Sequence, residues 1–261
     1  MLLRSRCVPA SVDGGGGPDE GGSVTADGGP VPDASVVDPD GSAPCSTALP
    51  FIDDFEGRAT LAGCWDGLTK SGPIAAGSTA ELAALPDGTG HVFRVNAQPV
   101  DGGLGGGMIY LTKTFAVPVP VPVQIGFTWN VEQHPNGDST GLKGLYAVEI
   151  GYQYKSGPFV QPGVLKLAFG VNLKMINPYL SGSDVPVIAI ETGVSSESAI
   201  VFDASSATFS IKDRADATRT FALPKDATEV AVTSVKLGVT EVGSLSDAWV
   251  LSFDNVSIVK P

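Results

Sequence analysis

Residues 123–131 read VQIGFTWNV. Val123, Ile125, Phe127, Trp129 and Val131 alternate with Gln124, Gly126, Thr128 and Asn130. In an extended chain a period of two sends successive side chains to opposite faces, so this stretch is a strand with one buried side. The rhythm recurs on moving outward. Tyr146, Val148, Ile150, Tyr152 and Tyr154 alternate with Ala147, Glu149, Gly151 and Gln153. Leu165, Leu167, Phe169, Val171 and Leu173 alternate with Lys166, Ala168, Gly170, Asn172 and Lys174. The breaks carry turn residues, Pro135-Asn136-Gly137-Asp138 and Ser156-Gly157-Pro158. These three strands predict a sheet with one apolar and one polar face, and place Trp129, Tyr146, Tyr152 and Tyr154 in the core.

Further strands are predicted over 91–96, 107–115, 186–191, 207–211, 218–222, 229–240 and 249–259. Thr79–Leu85 is the one helix-compatible stretch. In Val117–Pro122 valine and proline alternate. Proline donates no ladder hydrogen bond, so this run is an edge strand or a polyproline-like approach. Many strands with few helices predict an all-β fold, an antiparallel two-sheet jelly-roll sandwich.

The chain has 261 residues and a formal net charge of −12. That length suits one large β domain. The acidity and the lack of a basic run exclude nucleic acid as a partner, since phosphate binding needs clustered Lys and Arg. No apolar stretch reaches the roughly 18 residues of a membrane span. Residues 8–44 are rich in Gly, Asp, Pro and Ser. They bury too little apolar surface to offset ordering, so residues 1–44 are expected to be a disordered tether and 45–261 the folded domain. Cys7 followed by such a tether resembles the mature start of a bacterial surface lipoprotein, which implies a lipid anchor on Cys7 and an outer-surface or extracellular location. Arg6 departs from the small residue expected before such a cysteine, and the apolar segment of a signal peptide is missing. Cys45 and Cys64 flank the first strand. In an exported chain they pair as one disulfide; the alternative is three free thiols.

Phe51-Ile52-Asp53-Asp54-Phe55-Glu56-Gly57 opens the folded part, and WVLSFDNVSI, Trp249 to Ile258, closes it. These ends resemble the concanavalin A-like and carbohydrate-binding-module jelly rolls. The resemblance implies that first and last strands lie side by side. It also implies a structural calcium ion held by Asp54, Glu56 and Asp254, with Asp53 and Asn255 as lesser candidates. Hard carboxylate oxygens suit calcium. The alternative is that these acids face solvent at a sheet edge.

On the polar face, Gln124, Asn130, Glu132, Glu149, Gln153, Asn172 and Lys174 are candidate ligand-binding residues for a polysaccharide or surface glycan, because amides and carboxylates match arrays of sugar hydroxyls. The plainer alternative is a solvated sheet face. Glu132 and Glu149 form a carboxylate pair of the kind a glycosidase uses, as any two long strands can offer. No E-x-D-x-E signature accompanies them, and no catalytic residue is assigned. His91 and His134 stand apart from other soft ligands and read as structural. The glycine cluster 102–107 reads as a loop. The favoured function is a non-catalytic glycan-binding surface module. The alternatives are a polysaccharide hydrolase or lyase on the same scaffold, and a structural envelope protein without a small ligand.

Overall fold

A computed structural model of the chain describes residues 49–56, 60–61, 64–72, 77–85, 88, 90–99, 107–134, 143–172, 175–180, 191–241 and 248–261. The expected tether with Cys7, and also Cys45, Lys174, the 135–138 turn, the 102–106 glycines and most of the strand predicted over 186–191 lie outside these residues.

All regular structure among the described residues is strand. In chain order the strands are β1 (Phe51–Asp53), β2 (Gly67–Ser71), β3 (Thr79–Ala84), β4 (His91–Ala97), β5 (Met108–Pro120), β6 (Val123–Gln133) and β7 (Lys143–Ser156). They continue with β8 (Phe159–Asn172), β9 (Met175–Leu180), β10 (Ser196–Phe202), β11 (Ser206–Ile211), β12 (Arg214–Ala222), β13 (Thr228–Glu241) and β14 (Trp249–Val259). An eight-stranded sheet runs β12-β11-β10-β6-β14-β4-β3, with β1 also on β14, and a six-stranded sheet runs β2-β5-β13-β7-β8-β9. Every pairing is antiparallel. The expected all-β sandwich is the observed one.

The inner faces meet in one core. Trp129 of β6 stacks on Phe169 of β8 at 4.4 Å between ring centroids, and Tyr152 of β7 meets Phe202 of β10 at 5.7 Å. Each pair joins one sheet to the other, as facing layers require. The Trp129 ring is buried and its Nε1–H donates to Ser198 Oγ at 2.8 Å, so its polar atom is satisfied.

First and last strands do lie side by side: Phe51 pairs Ile258, Ile52 pairs Ser257 and Asp53 pairs Val256. β14 pairs β4 over Trp249–Phe253 and β1 over Val256–Ile258. The changeover falls at a register shift between Asp254 and Ser257 on the β6 side. Asn255 there has φ 49°, the left-handed conformation that asparagine tolerates best after glycine. The Asp-Asn of the closing motif is therefore a β-bulge that hands β14 from one neighbour to the next.

Three expectations are corrected. Thr79–Ala84 is strand β3, because it pairs residue for residue with β4 from Asn96 to His91. Seven residues hold too few internal helical bonds to compete with a complete ladder. The three alternating strands do not share a sheet: β6 lies in one, β7 and β8 in the other. Tyr146 is not core. A register shift between Tyr146 and Val148 inserts Ala147 as an extra residue, and both Ala147 and Val148 are buried. One extra residue reverses every side chain beyond it, so Tyr146 moves to the polar face beside Glu149. Pro118 and Pro120 sit in the last part of β5, which pairs with β13 on one side, and Pro122 follows its end. They lie past Thr112, where β2 stops covering the other side, as an edge requires.

Gly238 of β13 lies across from Tyr110 with φ 126°, and a Cβ there would sit 2.5 Å from the Ile109 carbonyl oxygen. Gly238→Ala is expected to destabilise the fold by more than about 1 kcal/mol, seen as a lower midpoint in urea unfolding.

Candidate functional site

On β13, β7 and β8 one cross-strand row runs Lys236, Glu149, Lys166, with Thr112 of β5 next to Lys236. These positions alternate with buried Val235, Leu237, Val148, Ile150, Leu165 and Leu167, so they point outward from the six-stranded sheet. Lys236 Nζ donates to Glu149 Oε1 at 2.5 Å, and Lys166 Nζ lies 3.9 Å from Glu149 Oε2. Tyrosines stand at both ends. Lys236 Nζ is 5.0 Å from the centroid of Tyr110, and Lys166 Nζ is 5.0 Å from that of Tyr146.

The row is shielded although it faces outward. The Glu149 side chain is 14% exposed and each lysine 26%. The Arg94–Glu132 pair on the opposite sheet stands at 41% and 30%. Charges held out of water interact more strongly and move less than solvated ones. The row offers fixed donors, a fixed acceptor and two aromatic rings.

The structure separates the predicted ligand-binding residues. Glu149 and Gln153 lie on β7, and Asn172 ends β8 in the same sheet. Gln124, Asn130 and Glu132 lie on the outward side of β6, across the core. One groove cannot hold both sets, and Glu132 and Glu149 do not face each other as a carboxylate pair. Sequence reasoning missed Tyr110 and Lys236. Their signal was present, since Ile109, Leu111, Val235 and Leu237 flank them in period two.

The expected calcium ligands come near one another but are engaged separately. Asp54 Oδ1 accepts the Glu56 N–H at 3.1 Å, and Glu56 Oε1 accepts the His91 N–H at 2.7 Å. Asp254 accepts from Asn255, at Oδ1 from the backbone N–H and at Oδ2 from Nδ2, at 2.7 and 3.0 Å. Among the described residues no group of three or more His, Cys, Asp or Glu is gathered to hold a metal ion. Asp53 is buried. Its Oδ2 accepts Trp65 Nε1–H at 2.6 Å and its Oδ1 accepts the Phe55 N–H at 2.8 Å. Phe55 has φ 58° and is buried between Trp65 and Phe93. The opening acids thus fold a turn that drives an aromatic ring inward. Of the histidines, His91 Nδ1 lies 3.6 Å from Glu56 Oε2 and His134 Nε2 lies 2.7 Å from Thr192 Oγ1.

No protein-family model matches the chain, and no curated relative is found. Among solved structures it is similar to "Cellulose induced protein, Cip1" at 16% identity and TM-score 0.49, over 81% of this chain and 97% of that one. It is similar to a sialidase at 10% identity and TM-score 0.49, over 80% of this chain, which spans 18% of the sialidase's length. A marine PL7 alginate lyase, AlyA1 from Zobellia galactanivorans, shows 11% identity and TM-score 0.44 over 72% of this chain and 82% of that one. At these identities and TM-scores the likenesses transfer no residue role and no ligand.

Burial raises the Asp254 pKa above the ordinary carboxylate range, against the Asn255 N–H, and the charges of Glu56, Asp54 and Asp53 raise it further. A carboxyl that binds its proton more readily when folded opposes folding once ionised, and the penalty shrinks as pH falls through the folded-state pKa and is gone below the unfolded-state value. Asp254→Asn, measured in a chelator, is therefore expected to melt above the native chain at neutral pH. The difference closes on acidification. A lower melting temperature at neutral pH would show that the charge supports the fold.

Proposed function

We propose that the chain is an extracellular, non-catalytic module that binds glycan on the outward side of its six-stranded sheet. One observation carries this reading: the shielded Lys236–Glu149–Lys166 row lies between the outward rings of Tyr110 and Tyr146. Sugar rings offer apolar faces that stack on aromatic rings and hydroxyls that pair with ammonium and carboxylate groups. The ladder holds these groups in place before a ligand arrives, which lowers the ordering cost of binding. The separation of Glu132 from Glu149 favours binding over hydrolysis by that pair.

Residues outside the described part complete the reading. The tether and a lipid anchor on Cys7 would hold the module at the cell surface. A Cys45–Cys64 bridge would close the first strand; Cys64 is buried and its carbonyl accepts the ammonium of Lys113, also buried, at 3.0 Å. A non-reducing peptide map is expected to join Cys45 to Cys64, and reduction to cost on the order of 3 kcal/mol of stability.

The test of function is retention of the full chain on a panel of immobilised polysaccharides, with calcium and with chelator. Retention without release of oligosaccharide is the expected result. Tyr146→Ala and the double variant Lys166→Ala, Lys236→Ala are expected to weaken it at least about tenfold while melting as cooperative folds. Loss in chelator would tie Asp54, Glu56 and Asp254 to a calcium ion. Released product would make the chain an enzyme, and no retention on any polymer would leave a structural role.

A further inference from the structure

The eight-stranded sheet carries on its outward side a cavity that the glycan face does not use. Its volume is about 430 Å³. Register places its lining in adjacent rows. Asn130 of β6 faces Ser252 of β14, which faces Arg94 of β4. In the next row Thr128 faces Asp254, and Ala83 of β3 faces Val92 of β4. Residues directly opposite in such ladders hold their Cβ atoms about 4.5–5.5 Å apart, so these side chains share one small space.

Three properties define what the cavity accepts. Its charge is negative. The guanidinium of Arg94 is engaged by Glu132, with Nε and Nη2 at 2.9 and 2.7 Å from Oε2, which leaves Asp254 as the uncompensated charge of the lining. It also holds an acceptor in want of a donor. Asn130 Oδ1 is buried and has no hydrogen-bond partner, a state that costs about 1–3 kcal/mol until a donor arrives. Finally, it has an apolar side, formed by Ala83, Leu85 and Val92. A bare metal ion would leave that side without contact, and a neutral sugar would leave the charge without a counterpart. A donor-rich cation on an aliphatic stem satisfies all three.

We propose that this cavity binds an alkylammonium group, its head between Asn130 and Asp254 and its methylenes along Ala83, Leu85 and Val92. A lysine side chain of a partner protein and a free polyamine both present this chemistry. An ammonium donates three hydrogen bonds and accepts none, which suits the Asp254 carboxylate and the unpartnered Asn130 Oδ1.

The experiment is calorimetric titration of the full chain, in chelator, with 1,5-diaminopentane and with Nα-acetyl-lysine methylamide. Glucose and 1-pentanol serve as neutral probes. Saturable binding of either ammonium probe is expected, with affinity at least about tenfold lower in Asn130→Ala and in Asp254→Asn. Preference for the diamine assigns the site to polyamines, and preference for the lysine amide assigns it to a protein partner. Melting curves of both variants establish that they fold. No heat from either ammonium probe up to about 10 mM overturns the proposal. So does glucose binding as tightly as the diamine, or ammonium binding that survives both substitutions.

Discussion

The seat of β14 is the constraint on which the rest of the sandwich depends. β14 is a middle strand of the eight-stranded sheet, with β6 along one side and β4 and then β1 along the other. Its inward side chains, Leu251, Phe253, Val256 and Ile258, are buried in the core. A strand with two neighbours must follow both registers at once, and on the second side the neighbour changes from β4 to β1. The bulge at Asp254–Asn255 resolves this by adding a residue where the neighbour changes. Without it, Val256 and Ile258 would turn outward and β1 would lose its apolar partner.

A second bulge does comparable work in the facing sheet. Ala147 shifts Tyr146 onto the polar side, where its ring meets Lys166 and closes one end of the ionic row. Gly238, in a conformation that side chains disfavour, lies across from Tyr110 at the other end. The proposed glycan face therefore rests on two departures from regular strand geometry, one at each end. The bulge re-aims the Tyr146 ring, and Gly238 admits the close approach of the β5 backbone at Ile109 and Tyr110.

The two outward faces differ in chemistry because they are built from different strands. The six-stranded sheet presents two lysines around a carboxylate with tyrosines beside them. The eight-stranded sheet presents an arginine already neutralised, a free charge at Asp254 and an unpaired amide oxygen. The opening acids serve a third purpose. Asp53 fixes the left-handed turn at Phe55 and satisfies the Trp65 indole, so part of the acidic motif is internal architecture.

How far the sequence can be read follows from which forces are local. Period-two alternation in VQIGFTWNV and in 165–169 was enough to give strands, their buried faces and an all-β class, because alternation is a property of one extended chain. The side-by-side ends were legible in the FIDDFEG and FDNVSI motifs. Alternation does not state which strands pair, so β6 joined the opposite sheet from β7 and β8, and a seemingly continuous polar face became two. It also carries no mark of an inserted residue, so Tyr146 was placed inside until the ladder with β8 exposed the bulge. Thr79–Ala84 needed β4 beside it to be a strand. The amino-acid sequence by itself determined the class of fold, most of the inward side chains and the meeting of the first and last strands. The tertiary structure decided which polar residues share a face, because pairing and register are fixed by contacts between segments far apart in the chain.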